Sequence, residues 1–439
     1  MHAFHFRSLQ SIALQKPVPA APSTPPALGI TRISAMGPGG GGRSGGGGRV
    51  SNLDGAAPEG TDFANYFCTS IFCLRSTHIS PPPPHFFPTG TYAYIYHQKD
   101  MLEDHKRTGT YHKACLLNRS QFANKVVLDV GTGSGILAIF AAKAGARKVY
   151  AVEATNMAKS AKRMVDAQGL EDTIEVIQGV IESVEIPEPV DIIISEWMGY
   201  FLLRESMLDS VVVARDRFLK PDGALYPSHA RMFFAPIRSQ LAYQRNAEFV
   251  NAMNGWGEFI HDMREMYGVD TECLSEDFRK EQREYYSDTS AWTDVHPSQM
   301  LGPPALIKAY DLKTVTLEEL KAPLVSTFSM TVAESGSVNA FCGFFDTEFR
   351  GSDQNPTDYP ITLSTAPDPT GATHWGQQSF VLHPPIDVEA GDAIVCDFEM
   401  KRQKENHRLL EVTLTHRVER KSGGSVVTMG ERTSHFVIE

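Results

Sequence analysis

Between Lys125 and Gly135 the chain reads KVVLDVGTGSG, an apolar run that ends in a turn built on Gly131, Gly133 and Gly135. Glycines at alternate positions let the backbone turn through conformations closed to other residues and let a ligand approach it closely. This turn limits the fold more than the composition does. It lies between a strand and the helical stretch that follows, and further apolar strands succeed it at KVYAVE (148–153), TIEVIQG (173–179) and VDIIISE (190–196). Between KVYAVE and TIEVIQG, Ala158, Ala161, Met164 and Val165 share one helical face, with Thr155 as the expected N-cap and Gly169 as the stop. Strands alternating with helices build a parallel sheet covered on both faces, so this part of the chain is α/β and doubly wound.

The dinucleotide fingerprint needs glycine or alanine where this chain has Ile136, which disfavours nicotinamide and flavin dinucleotides. The G-x-G-x-G form suits S-adenosyl-L-methionine, which brings no pyrophosphate to the turn, although such turns also occur without a ligand. Glu153 ends the second strand about 20 residues beyond Gly131, where an acid can accept both ribose hydroxyls. Its plainer reading is an exposed strand-end acid. Glu182, in QGVIES, can meet the exocyclic amine of adenine or simply be solvated. Sheets of this kind bind ligands outside the carboxyl ends of their strands. There the loop SEWMGYFLLRESM carries Glu196 and Glu205 on either side of Gly199. Alone, an acid past a strand is ordinarily solvated, and one opening a helix complements its dipole. Together, aimed at one pocket, two acids suit a cationic substrate.

The 439 residues allow two sizeable cores, and a net charge of -11 disfavours direct nucleic-acid binding while favouring basic protein partners. No apolar run approaches the roughly 20 residues of a membrane span. The cysteines Cys68, Cys73, Cys115, Cys273, Cys342 and Cys396 form no C-x-x-C pair and no zinc spacing, so they read as reduced thiols of an intracellular protein without a metal site. Before Asp54 there is no acid, only Arg7, Lys16, Arg32, Arg43 and Arg49 among Ser, Pro, Ala and Gly. A transit peptide shares that composition, but the polyglycine in GPGGGGRSGGGGRV favours a disordered tail over 1–60. From Arg238 to about Trp292 the pattern is helical and lacks proline until Pro297. Beyond Pro323 it turns to period-two strands such as LVSTFSMTVA, FCGFFDTEF and DAIVCDFEM, which is an antiparallel β domain.

In the order DVGTGSG, KVYAVEA, ISEWMGYFLLRESM, KPDGALYPSHA and ATHWGQQ, the chain closely resembles the protein arginine N-methyltransferases from about Asp62 to its end. The segments FLLRESM, HQKDML and KENHR are most like a plant branch of that family. The resemblance implies N-terminal helices and a Rossmann-like S-adenosyl-L-methionine-dependent methyltransferase domain over 61–226. It also implies an antiparallel β-barrel substrate domain over 227–439, with a helical dimerisation arm at about 238–292 that makes a homodimer. Residue by residue, it implies that Arg107 holds the cofactor carboxylate, that Gly131 and Gly133 line its amino-acid end, and that Glu153 meets the ribose and Glu182 the adenine. Tyr66 and Phe67 would belong to a helical lid over the cofactor, and Gln98, with His97 beside it, falls where many members place a contacting histidine. Glu196 and Glu205 would clamp the substrate guanidinium, Asp104 and His374 would pair as a proton relay, and Trp375 would wall the arginine channel. Met101 and Met207 would flank the slot and leave room for a second methyl, as in the asymmetric-dimethylating, type I members.

The implied activity is methylation of histones or Gly/Arg-rich proteins in the nucleus and/or cytoplasm. A small-molecule methyltransferase would not explain the acid pair and the Thr-His-Trp loop together. Two departures stand out: Arg204 occupies a place where an aromatic is common, and the proline-rich stretch 70–91 interrupts the lid helix. A catalytically weak dimeric scaffold is the alternative that this interruption raises. The tail places Arg43 and Arg49 in the glycine context that such enzymes modify. Incubation with cofactor is therefore expected to methylate both, and mass spectrometry finding both unmodified removes the idea.

Overall fold

The computed structural model describes residues 94–422 and 425–439, so Tyr66, Phe67, the tail over 1–60 and the stretch 70–91 lie outside the described residues. Three helices, α1 (Ile95–Glu103), α2 (His105–Leu116) and the short α3 (Arg119–Phe122), lead into β1 (Val126–Val130). Every residue of β1 is buried, which requires cover on both faces of its sheet. The chain continues through α4 (Ile136–Lys143), β2 (Lys148–Glu153), α5 (Met157–Ala167), β3 (Ile174–Gln178), β4 (Val190–Ile194), α6 (Leu208–Phe218) and β5 (Leu219–Tyr226). The order across the sheet is β3-β2-β1-β4-β5, and all its pairings are parallel. The order reverses between β1 and β4. That switch point leaves a crevice beyond the strand ends, which is where such sheets bind ligands.

Thr155 departs from its expected place. The first helical residue of α5 is Met157, and the Thr155 hydroxyl accepts the Met157 N–H at 3.1 Å from outside the helix, with Asn156 in the cap position.

The second half begins with β6 (His229–Ile237) and then extends a two-part arm, α7 (Gln240–Tyr267) and α8 (Ser275–Arg283). Only Ala242 and Ile260 of α7 are buried. The helical reading of about 238–292 runs slightly too far: after a π-helical turn at Glu284–Asp288 the chain forms β7 (Ala291–Thr293), which pairs with a barrel strand. There follow β8 (Ala305–Asp311), α9 (Leu317–Lys321), β9 (Leu324–Thr331), β10 (Gly336–Gly351), β11 (Pro356–Ser364), β12 (Gln377–Val388), β13 (Ala393–Arg402), β14 (Leu410–Ser422) and β15 (Ser425–Ile438). One antiparallel sheet runs β7-β12-β10-β6-β8 with β11 on β10, and the other runs β15-β14-β13-β9.

The two barrel sheets meet through phenylalanines. Phe234, on β6, is fully buried, with its ring centroid 5.1 Å from Phe380, 5.4 Å from Phe341, 5.9 Å from Phe398 and 6.0 Å from Phe328. Into this cluster the α/β domain inserts Phe201, whose centroid lies 5.6 Å from that of Phe380. Gly343 makes room for it: a Cβ there would lie 2.6 Å from the Phe201 ring. Because Phe234 touches both sheets and the inserted ring, Phe234→Ala is expected to cost about 3–5 kcal/mol. The denaturant midpoint, compared at unchanged slope, checks this.

Candidate active site

Gly131, Gly133 and Gly135 have φ of 72°, 54° and 87°, left-handed values that a side chain resists. The turn is tied to its neighbour strand where the Gly131 and Thr132 N–H groups donate to Val152 O at 3.0 and 2.9 Å. Glu153 closes it from the side, its carboxylate accepting from Gly133 N and Thr155 N, both at 2.9 Å. Above the turn, Gln98 of α1 accepts the Ser134 N–H at 3.1 Å, and a Cβ on Gly133 would lie 2.9 Å from the Gln98 Oε1. A Cβ on Gly131 would collide with the Met207 methyl. Glycine is thus required for φ, and the flexible ends of Met207 and Gln98 lie close against the turn.

Asp129, which sequence reasoning passed over, supports the turn from beneath. Its Oδ2 accepts from Thr132 Oγ at 2.5 Å and from Ala138 N at 3.0 Å. Full burial pushes its carboxyl up to about 7, against the opposing pull of those two bonds. An aspartate inside a buried strand of an apolar run was the available signal.

The loop after β4 carries both acids on a tight hairpin, where Gly199 and Leu202 exchange N–H···O bonds of 3.0 Å in each direction. Gly199 must be glycine because a Cβ would collide with the Arg204 backbone carbonyl. Phe201, Leu202, Glu205 and Ser206 all have positive φ, each costing roughly 1–2 kcal/mol. Contacts from outside the loop hold it in that shape. Trp375 Nε1 donates to Met198 O at 2.8 Å, Glu205 N to Arg408 O at 2.8 Å, and Ser206 Oγ to His407 O at 2.7 Å.

Each acid is met by arginine. Arg107, on α2, donates from Nε at 3.0 Å and Nη2 at 2.8 Å to the Glu196 Oε2, and from Nη1 to Met101 O at 3.3 Å. The other oxygen of Glu196 accepts the Met198 N–H at 3.2 Å. Glu205 pairs with Arg204 Nη1 at 3.1 Å and with Arg408 Nη2 at 3.3 Å. Arg204 also lies over the Tyr200 ring, 5.3 Å from its centroid, so the residue that departs from the expected aromatic is folded back against its own loop.

Asp104 and His374 are joined. Asp104 Oδ2 accepts from His374 N at 2.9 Å and lies 2.7 Å from Nδ1, while Oδ1 accepts from Arg107 N at 3.0 Å. Burial alone would raise the Asp104 carboxyl, but the His374 ring and the two backbone N–H groups outweigh it and hold it down to about 2. An ionised carboxylate only accepts, so Nδ1 carries the proton and Nε2 is the acceptor when the ring is neutral. Trp375 is 3% exposed, and its Nε1 bond to Met198 O braces the acid loop. Trp292 on β7 donates to His374 O at 3.1 Å, a support that no motif announced. Glu182 accepts from Ser210 Oγ of α6 at 2.7 Å, bringing it to the same edge of the sheet.

Known proteins are similar to this chain. Residues 228–421 match the arginine methyltransferase oligomerization subdomain, and residues 107–226 match the ribosomal protein L11 methyltransferase (PrmA) model. Protein arginine N-methyltransferase PRMT10 of Oryza sativa subsp. japonica is 49% identical over 82% of this chain and 90% of its own length. The Arabidopsis thaliana PRMT10 is 45% identical over 86% and 94%. The crystal structure of Arabidopsis thaliana protein arginine methyltransferase 10 superposes with a TM-score of 0.76 at 46% identity, covering 80% of this chain and 99% of that one. The chain belongs to the protein arginine N-methyltransferases.

For this methyltransferase S-adenosyl-L-methionine is the cofactor, and the residues present fit it. A cradle of three glycines at positive φ would admit its amino-acid end, and the acids Glu153 and Glu182 would offer acceptors to its hydroxyl and amine donors. Arg107, expected to serve the cofactor carboxylate, also holds the first acid of the loop, with N–H donors to spare. Because the folded pKa of Asp104 is depressed, its stabilising contribution is present above about pH 4 and is lost as pH falls toward about 2. Thermal melting against pH is therefore expected to show an acid limb that Asp104→Asn flattens.

Proposed function

We propose that the enzyme methylates arginine side chains of histone or Gly/Arg-rich proteins, forming monomethyl and then asymmetric dimethylarginine. The observation that carries this reading is the acid pair. Glu196 and Glu205 sit on one braced hairpin at the switch point of the sheet, beside the glycine cradle. Guanidinium stays protonated at any cellular pH, so its nitrogens are poor nucleophiles. Carboxylates at Glu196 and Glu205 would bind it in its plane and draw positive charge toward one nitrogen. The other nitrogen is then the better nucleophile. Bound S-adenosyl-L-methionine supplies the electrophilic sulfonium methyl. Most of the rate comes from positioning and fixed charge rather than from a covalent enzyme intermediate. His374 Nε2, with Asp104 behind it, takes the proton that the product sheds.

Met207, whose methyl reaches over Gly131, and Met101, whose carbonyl accepts from Arg107 Nη1, support the reading that these methionines would flank the slot and leave room for a second methyl on one nitrogen. The arm supports a homodimer: Tyr243, Val250, Phe259, Met266 and Tyr267 are exposed along α7, an apolar load that a second copy would cover. The net charge of -11 suits basic substrates, and the free thiols of Cys115, Cys273, Cys342 and Cys396 suit the nucleus and/or cytoplasm.

Purified protein incubated with methyl-labelled S-adenosyl-L-methionine and a glycine–arginine peptide is expected to yield mono- and asymmetric dimethylarginine on amino-acid analysis. Glu196→Gln is expected to lower kcat by at least about 10²-fold. Symmetric product would overturn the methionine argument. A chain that dimerises but transfers no methyl would favour the scaffold reading.

A further inference from the structure

The second acid is held from a distant part of the chain. Residues 403–409 form the turn between β13 and β14, and this turn grips Glu205 and Ser206 through four bonds. Glu205 N donates to Arg408 O at 2.8 Å, and Ser206 Oγ donates to His407 O at 2.7 Å. In return, Arg408 donates from Nε to Glu205 O at 3.4 Å and from Nη2 to the Glu205 Oε2 at 3.3 Å. Arg408 is 7% exposed, an unusual burial for a long cationic side chain on a turn. The turn is itself anchored. Arg402, at the end of β13, makes a bidentate pair with Asp209 in the first turn of α6, both bonds at 2.7 Å. Within the turn, Asn406 Oδ1 accepts the Arg408 N–H at 3.1 Å.

Glu205 and Ser206 have φ of 81° and 58°, so their backbone needs such restraint. Within its own loop, the bond from Ser206 N to Leu203 O is long, at 3.3 Å. We propose that Arg408 is a positioning residue of the methyl transfer: it fixes the rotamer and left-handed backbone of Glu205, so that the barrel domain, through a turn anchored by Arg402, sets one half of the guanidinium clamp. The proposal rests on the reading of Glu205 as a substrate ligand. Arg408 bonds the second acid of the loop, so its effect falls on kcat and the arginine substrate and leaves cofactor affinity alone. A lysine there keeps the charge but not the fork that spans backbone and carboxylate.

Arg408→Ala and Arg408→Lys, made in the full chain, test this. Arg408→Ala is expected to lower kcat on a glycine–arginine peptide by about 10²-fold. Arg408→Lys should recover part of that loss. The Kd for S-adenosyl-L-methionine, by titration calorimetry, should stay within about twofold in both, as for independent sites. Hydrogen–deuterium exchange of the amides over 203–207 should quicken by about tenfold in Arg408→Ala. Unchanged exchange, an unchanged kcat, or a cofactor affinity that falls in step with kcat overturns the proposal. An inactive wild-type chain would count against the functional reading, while the exchange measurement still decides whether Arg408 holds Glu205.

Discussion

Each acid of the loop after β4 is charge-paired to an arginine from outside the loop, Glu205 to Arg204 within it as well, and the rest of the site depends on this. Arg107 reaches Glu196 from α2, ahead of the parallel sheet, and Arg408 reaches Glu205 from the barrel. The hairpin between them is a poor conformation on its own account. Left-handed φ at Phe201, Leu202, Glu205 and Ser206 costs roughly 1–2 kcal/mol per residue. Complete burial of Phe201 and Leu202 returns roughly 1.5–3 kcal/mol each. The loop is therefore stable only while its tip is plugged into the barrel, and the two domains are coupled by packing before any charge is considered.

The ion pairs then decide direction rather than stability. Arg107 and Glu196 are about a tenth exposed at the side chain, where desolvation offsets much of the attraction between the charges. What such a pair provides is a fixed orientation. A carboxylate bound by the fork of an arginine cannot rotate freely, and an in-plane guanidinium ligand needs that restriction. The glycine cradle follows the same logic with backbone in place of charge. Glu153 spends both oxygens on N–H groups of the turn and its exit, so the shape of the cradle and the position of that acid are set together.

The α/β half was legible in the sequence because its signals are local. A buried parallel strand is a short apolar run, and a turn at positive φ is a glycine, so residues 125–196 could be read without tertiary information. The strands β8 and β11 were not legible: β11 is exposed at most positions and lacks an alternating pattern, since it forms an edge on β10. The acid pair and the neighbouring Arg204 could be seen, but the arginines that the fold brings to the pair from elsewhere could not. Arg408 and Glu205 are 203 residues apart in the chain, and no spacing rule links them. Trp375 shows the converse. Its motif was plain, but only the fold reveals that the indole lies under the loop and holds a carbonyl. Asp129 was passed over because a carboxylate inside an apolar strand has no motif of its own, although its burial made it the most perturbed aspartate near the cradle.

One carboxylate links His374 to the first acid of the loop. Asp104 caps α2 by accepting the Arg107 N–H through Oδ1, and it holds His374 of the barrel through Oδ2. Arg107 is the residue whose N–H is capped, and its side chain holds Glu196. Relay and first acid are thus fixed to the same helical turn, where the rise of about 1.5 Å per residue leaves little play between them. Loss of the Asp104 charge would remove the orienter of His374 and also fray the N-terminus that aims Arg107. A single aspartate accordingly positions both His374 and Arg107, and in the proposed reading it would set where a proton leaves and where a guanidinium binds.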